Sequence, residues 1–475
     1  MPTKIDLIFG CDTLVATRNS TTTGTIILAK NSDRPVKECQ PLVYNPRQEH
    51  REGSTVRLEY VELPQPKVTY ATLGSSPYWC YGYESGMNEY GVAIGNEAIY
   101  TKAAKETIKS FRQGKYQLGL LGMDLVRLGL ERAQSASEAL EVITNLLARF
   151  GQFGSGLPQV SHEDGSYDNS FMIADGKEAF VLETGGKEWV AKRISDIAAI
   201  SNEPTIRNEY DMSSDNLIEL AVQRNWWPKD RISENEFDFA QSYIDFEKPL
   251  QLSHLRYRRA LELLKKESKI SPQYMTRILR DHYEDSFIGE PYFNPALPDF
   301  LTLCMHSSPA EFTWGNTAAS SIFILPDSGD RYPIMLWSPL TPCTGCYIPF
   351  FVHAGPPPEV VSRTGSAGKS VMEPPAASID QYSSDSYWWL FSELLNKVKL
   401  DEIGSAFKEW QPKVRSAFDP LEINAMKEMY EVEEQATKLA RRGMKAKSVE
   451  ILKDFEERNV NKVLDTIGML NKTIL

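Results

Sequence analysis

A chain of 475 residues, 41% hydrophobic and 24% charged, can bury one large core or two smaller ones, and its composition is that of a globular protein. A formal net charge of −12 argues against nucleic acid or an anionic membrane as the main partner. No apolar run reaches the roughly eighteen residues of a membrane span, and the apolar start is too short for a signal peptide, so a cytoplasmic protein is expected.

The first predicted elements are two strands. One apolar run begins at Cys11 (Cys11-Asp12-Thr13-Leu14-Val15-Ala16), and a second, Thr25-Ile26-Ile27-Leu28-Ala29, leads into Lys30-Asn31-Ser32-Asp33-Arg34. Joined by a Thr/Gly turn, they set Cys11 close to Lys30 and Asp33. Residues 56–63 alternate apolar and polar as a half-buried strand does, 68–73 follow as its hairpin partner, and 91–96 read as another strand. Residues 120–150 carry helical periodicity, with a restart at Ser135 and an acid, Glu138, in the new first turn. Runs at 170–175, 179–184, 188–191 and 197–200 predict a β-meander; helices are expected near 213–224, 253–267 and 271–282, and strands at 320–325 and 334–337. The Pro/Ser-rich stretch 355–386 reads as a long surface loop, and the chain beyond it as helices packing back on the main domain. Strands, then helices, then strands suit a layered α+β fold.

Six cysteines, at 11, 39, 80, 304, 343 and 346, are too sparse for a disulfide scaffold. Cys343 and Cys346 form a CxxC pair with no second pair, and the nearest histidine is His353. Both thiols, and His282, read as structural; no metal site and no cofactor is expected. HExxH, GxSxG and P-loop patterns are absent from the sequence.

Amide hydrolysis needs a nucleophile, a base, an oxyanion site and groups that orient the substrate. If residues 1–10 are removed, Cys11 carries both a thiol, pKa about 8.5, and an α-amine, pKa about 8, that can take its proton. Gly10 leaves the preceding carbonyl open to close approach. Lys30 would favour the thiolate, Asp33 would hold the new terminus, and Arg34 could take a substrate carboxylate. Asn96 and Asn202 each follow an apolar run, and from the residues alone an ordinary turn role is the favoured reading of both.

These runs, with Gly86-Met87-Asn88-Glu89-Tyr90-Gly91-Val92, Gly95-Asn96-Glu97-Ala98, Asp168-Asn169-Ser170-Phe171, Ile200-Ser201-Asn202-Glu203 and Arg280-Asp281-His282, resemble in number and order the secernin/dipeptidase branch of the N-terminal-nucleophile hydrolases. The resemblance runs through most of the first 350 residues. It implies a four-layer αββα sandwich over 11–354, a possible propeptide at 1–10, the loop 355–386 and a helical extension at 387–475. It implies hydrolysis of a small amide, such as a dipeptide, through a cysteine thioester without a cofactor. Cys11, Asp33, Asn96, Asn202 and Arg256 would be catalytic, with the two asparagines as oxyanion donors and Arg256 contacting the nucleophile. Lys30, where related acylases carry arginine, and Arg34 would serve the substrate. The alternative is a non-hydrolytic, secernin-like adaptor in regulated secretion. The oligomeric state is left open, a homo-oligomer included.

Overall fold

The structure is a computed structural model that describes residues 10–231, 236–248, 251–288, 294–296, 302–309, 315–327 and 330–474. Of the expected propeptide only Gly10 falls within them.

The two apolar runs near the start pair antiparallel as Gly10–Ala16 and Ile26–Pro35, setting Gly10 opposite Asp33, Cys11 opposite Ser32 and Thr13 opposite Lys30. They lie inside a six-stranded sheet ordered Ile197–Ile200, Gly10–Ala16, Ile26–Pro35, Gly315–Leu325, Ile334–Pro339, Ile348–Phe350. A second sheet of eight strands runs Met212–Ser213, Glu188–Arg193, Ala179–Gly185, Asp168–Ala174, Ala93–Ile99, Ser85–Asn88, Thr72–Ser75, Leu42–Asn45.

Both sheets are apolar on two faces, and the period of two sorts their side chains into three cores. Val15, Ile26 and Leu28 meet Met87, Ala93, Met172 and Ala174 between the sheets. Leu14, Ala16, Ile27 and Ala29 face the other way, under the helices Gln251–Lys266 and Pro272–Leu279. Ile94, Phe171 and Ile173 pack beneath Gly122–Arg132 and Ala136–Phe150. Helix, sheet, sheet, helix is the four-layer αββα arrangement. The helix restart is where the sequence places it: the Ser135 hydroxyl accepts the Glu138 amide, a cap worth about 1 kcal/mol.

Three expectations need correction. Residues 56–63 are not one strand but a small hairpin, Thr55–Arg57 against Glu62–Pro64, closed by the Leu58 amide on the Val61 carbonyl. The stretch 68–73 does not pair with it: Val68–Thr69 pairs with Gln48–Glu49, and Thr72–Ser75 joins the large sheet. The last strand of the meander, Ile197–Ile200, leaves its neighbours and pairs with Gly10–Ala16 in the other sheet. That crossing carries Asn202 to Cys11.

The Pro-rich stretch is a hydrogen-bonded strap. Asp380 accepts the amides of Gly365 and Ala367 and the Trp389 indole N–H, and Lys369 donates to Ser76 and to the Pro77 and Cys80 carbonyls. Beyond it lie the helices Tyr387–Lys399, Phe407–Arg441 and Lys445–Thr473. Met426, Met429 and Phe455 from the last two complete the core outside the six-stranded sheet. Among the described residues no helix is long and apolar enough to cross a membrane.

Candidate active site

Alternation along Gly10–Ala16 gives Cys11 and Asp12 opposite environments. Cys11 and Thr13 look into the space between the sheets, as do Lys30 and Ser32 from the neighbouring strand. Glu97 reaches them from the second sheet: its carboxylate accepts the Thr13 hydroxyl and lies 2.9 Å from Lys30 Nζ. Lys30 also donates to the Asn96 carbonyl and stands 3.9 Å from Glu84. A side chain at Gly95 would strike Lys30 Cδ at 2.9 Å, so glycine there is what lets the lysine through. Burial works against the Lys30 charge, but the negative groups around it hold its pKa above the usual range. Burial likewise pushes the Cys11 thiol up while Lys30 draws it down. Glu97 is raised to about 8 by burial, against the pull of Lys30.

Asp12 and Asp33 face the helix layer instead. There Arg256, wholly buried on Gln251–Lys266, spreads its guanidinium over four groups. Nη1 donates to the Cys11 carbonyl at 3.0 Å and to Asp12 Oδ2 at 2.7 Å, Nη2 donates to Asn202 Oδ1 at 2.6 Å, and Asp33 Oδ2 lies 3.9 Å from Nη1. The Cys11 amide donates to the same Asn202 Oδ1 at 2.9 Å. Donors on two sides fix the Asn202 amide with its oxygen toward Cys11, and its Nδ2 donates to the Ala98 carbonyl at 2.8 Å. Residue 11 is thus gripped at both its nitrogen and its carbonyl.

Asp33 accepts the Thr317 hydroxyl on Oδ1 at 2.7 Å, whereas Oδ2 has no hydrogen-bond partner among the described residues. A Cβ on Gly10 would sit 2.9 Å from that oxygen and 2.2 Å from Met305 Cε. The free carboxylate oxygen therefore lies alongside the residue before the cysteine. Burial raises the Asp33 pKa to about 7, with Arg256 opposing and Asp12 reinforcing.

The structure brings Cys11, Lys30, Asp33, Asn202 and Arg256 together and separates the others from them. The Asn96 side chain points out of the sandwich, where Nδ2 donates to Asn169 Oδ1 at 3.1 Å and a Cβ on Gly122 would come within 2.6 Å of it. One residue of register decides this: Gly95 and Glu97 look inward, so Asn96 looks outward. Of the expected pair of oxyanion amides, Asn96 lies on the face opposite Cys11, and the Asn202 Nδ2 spends one of its two hydrogens on the Ala98 carbonyl. Arg34, expected to take a substrate carboxylate, is buried and already partnered. Its Nε donates to Glu38 at 2.6 Å, Nη1 lies 3.3 Å from Glu84, and Nη2 donates to the Gly156 carbonyl. Lys30 is likewise buried and paired, on Glu97 and the Asn96 carbonyl.

Sequence reasoning missed Asp12 and Glu97, the buried counter-charges of Arg256 and Lys30, although both lie inside the motif runs. It also missed a second cluster. His353 stacks on Tyr332 at 3.9 Å, away from the CxxC pair. Cys343 instead meets His282, Cys304 and His306, their ligand atoms all within 4.8 Å of one another and all buried. The expectation that no such set exists is thereby corrected; loops distant in sequence supply it. A cavity of about 330 Å³ opens beside the first cluster, lined by Glu203, Thr205, Arg207, His254 and Tyr257, next in sequence to Asn202 and Arg256.

Among solved structures the fold is similar to a mutant conjugated bile acid hydrolase from Clostridium perfringens, with 16% identity, 69% of this chain and 89% of that chain covered, and a TM-score of 0.39. It is also similar to the Caenorhabditis elegans ortholog of N-acylethanolamine-hydrolyzing acid amidase, with 12% identity, 67% and 96% covered, and a TM-score of 0.34. In sequence the chain is similar to probable dipeptidase A of Streptococcus pyogenes serotype M1, 26% identical over 208 residues, which are 41% of this chain. The serotype M18 protein matches to the same extent. The match spans about two fifths of these relatives' length, 39% in each case. Peptidase family C69 matches residues 10–251, half of the chain and both strands that carry the Cys11 cluster, and the protein belongs to that family.

Proposed function

We propose that this protein is a dipeptidase-like cysteine hydrolase whose nucleophile, Cys11, becomes the N-terminal residue when residues 1–10 are removed. The observation that carries the reading is the grip on residue 11: its nitrogen on Asn202 at 2.9 Å and its carbonyl on Arg256 at 3.0 Å. Once freed, that nitrogen is an amine with a pKa of about 8, held beside its own thiol. It takes the thiol proton, and the thiolate, favoured by Lys30 on the same face, attacks the carbonyl of a small amide. The amine then passes the proton to the departing nitrogen, leaving a thioester that water hydrolyses. Asp33 Oδ2, unpartnered and beside Gly10, would receive a hydrogen bond from the new ammonium. Family membership and the dipeptidase relatives support a small peptide as substrate. All six cysteines are unpaired, which suits a reducing, cytoplasmic setting.

Intact mass of the purified protein tests this. The expected mature chain begins at Cys11, takes one thiol-directed label there, hydrolyses dipeptides, and loses turnover in Cys11→Ala. A mature chain that keeps residues 1–10, or a Cys11→Ala variant with full turnover, overturns the reading and leaves the secernin-like adaptor.

A further inference from the structure

We propose that His282, Cys304, His306 and Cys343 bind a zinc ion in a closed, four-ligand structural site. The four residues come from three separated places: the turn after helix Pro272–Leu279, the segment leading into strand Gly315–Leu325, and the loop between Ile334–Pro339 and Ile348–Phe350. All four are at most 4% exposed. His282 Nε2 lies 3.2 Å from His306 Nε2, which lies 3.3 Å from Cys343 Sγ and 3.8 Å from Cys304 Sγ. A tetrahedral zinc with bonds of about 2.3 Å to sulfur and about 2.05 Å to nitrogen sets its ligand atoms about 3.3 to 3.8 Å apart. Three of the six ligand–ligand distances already have that spacing, and the others lie within 4.8 Å.

The donor set narrows the metal. Two sulfurs and two imidazoles, with no oxygen among them, suit zinc and exclude magnesium and calcium. Four protein ligands leave no open position, so the ion would hold structure and not do chemistry. The surroundings agree. Glu284 Oε1 lies 3.0 Å from His282 Nδ1; a carboxylate only accepts, so Nδ1 carries the hydrogen, as the carboxylate–histidine–zinc arrangement requires. Phe407 lays its ring edge-on to His306 at 5.2 Å, and Gln411 holds the Cys343 carbonyl at 3.0 Å, closing the cluster with the helix Phe407–Arg441.

The ion would fasten more than three loops. Met305, between two of the ligands, fills the space beside Gly10 Cα, and its backbone exchanges hydrogen bonds with Thr317, whose hydroxyl donates to Asp33. The cluster is therefore a buttress one residue away from the wall of the Cys11 site.

The test uses the full chain, purified without metal-affinity resin and dialysed against metal-free buffer. Elemental analysis should find one zinc per chain, lost in Cys304→Ser and Cys343→Ser and kept in Cys346→Ser. Glu284→Gln should weaken zinc binding roughly tenfold. Should the cysteine variants fail to fold, the wild-type protein decides: cobalt exchanged into it should give the visible bands of tetrahedral Co(II) and a near-ultraviolet thiolate-to-metal band. A zinc-free wild-type chain that takes up no cobalt overturns the proposal. So does zinc that persists in both cysteine variants, or a non-reduced mass showing a Cys304–Cys343 disulfide. None of these readouts depends on Cys11 being a nucleophile.

Discussion

The two faces of strand Gly10–Ala16 each hold one buried cation against two carboxylates, yet they are built differently. Between the sheets, Lys30 offers a point charge to Glu97 and Glu84; on the helix side, the planar fork of Arg256 fits Asp12, Asn202 and the Cys11 carbonyl at once. The first arrangement sets charge near a sulfur atom; the second fixes the position of a backbone. Charge can be moderated by protonating a carboxylate, and Glu97, raised to about 8, is ready to do so. Position cannot be restored that way.

The comparison predicts unequal costs. Arg256→Ala should destabilise the fold by about 3–5 kcal/mol, because it strands Asp12 and leaves the Cys11 carbonyl unheld. Lys30→Met should cost distinctly less, since a protonated Glu97 leaves no carboxylate charge stranded beside it. Urea unfolding of both variants checks the order, and equal losses would break the distinction.

A smaller effect is expected from pH. Asp33 and Glu97, raised to about 7 and about 8, bind protons in the native state that the unfolded chain, with carboxyls near 4, has released. Their contribution is complete below about pH 4 and is lost as pH rises through 7 and 8. Asp33→Asn should therefore gain stability relative to wild type as pH rises from about 4 to about 7 and level off above it, measured as the difference in urea midpoint between pH 5 and pH 8. A difference independent of pH would mean that Asp33 is ionised throughout.

The smallest effect is expected for Asn96→Ala. Losing one buried amide hydrogen bond to Asn169 should cost about 1 kcal/mol and leave the charges on both strand faces untouched. Loss of peptidase turnover with the thermal midpoint unchanged would return Asn96 to the reacting atoms and overturn its outward placement.

Much of this was legible in the residues. Apolar runs located the first strand pair, the first three strands of the meander and the cap at Ser135, and the order of the polar runs brought Cys11, Asn202 and Arg256 to one place. What a run of letters does not carry is parity. Asn96 and Glu97 are neighbours, and only the register of Ala93–Ile99 against Asp168–Ala174 decides which of them looks inward. The same limit hid Asp12 behind Cys11. The zinc-type cluster was illegible for another reason: its ligands follow no spacing rule, because folding rather than sequence brings His282 and Cys343 to Cys304 and His306. The strand expected over 56–63 failed because a turn at Leu58–Val61 outweighed an alternating pattern too short to hold it.

The double grip on residue 11 has a consequence for chain scission. A newly cut polypeptide end ordinarily frays, losing the entropy contest once its neighbour no longer tethers it. Here the anchors, Asn202 and Arg256, hold the nitrogen and the carbonyl of residue 11 itself. A cut before Cys11 would produce a terminus whose own residue is already docked.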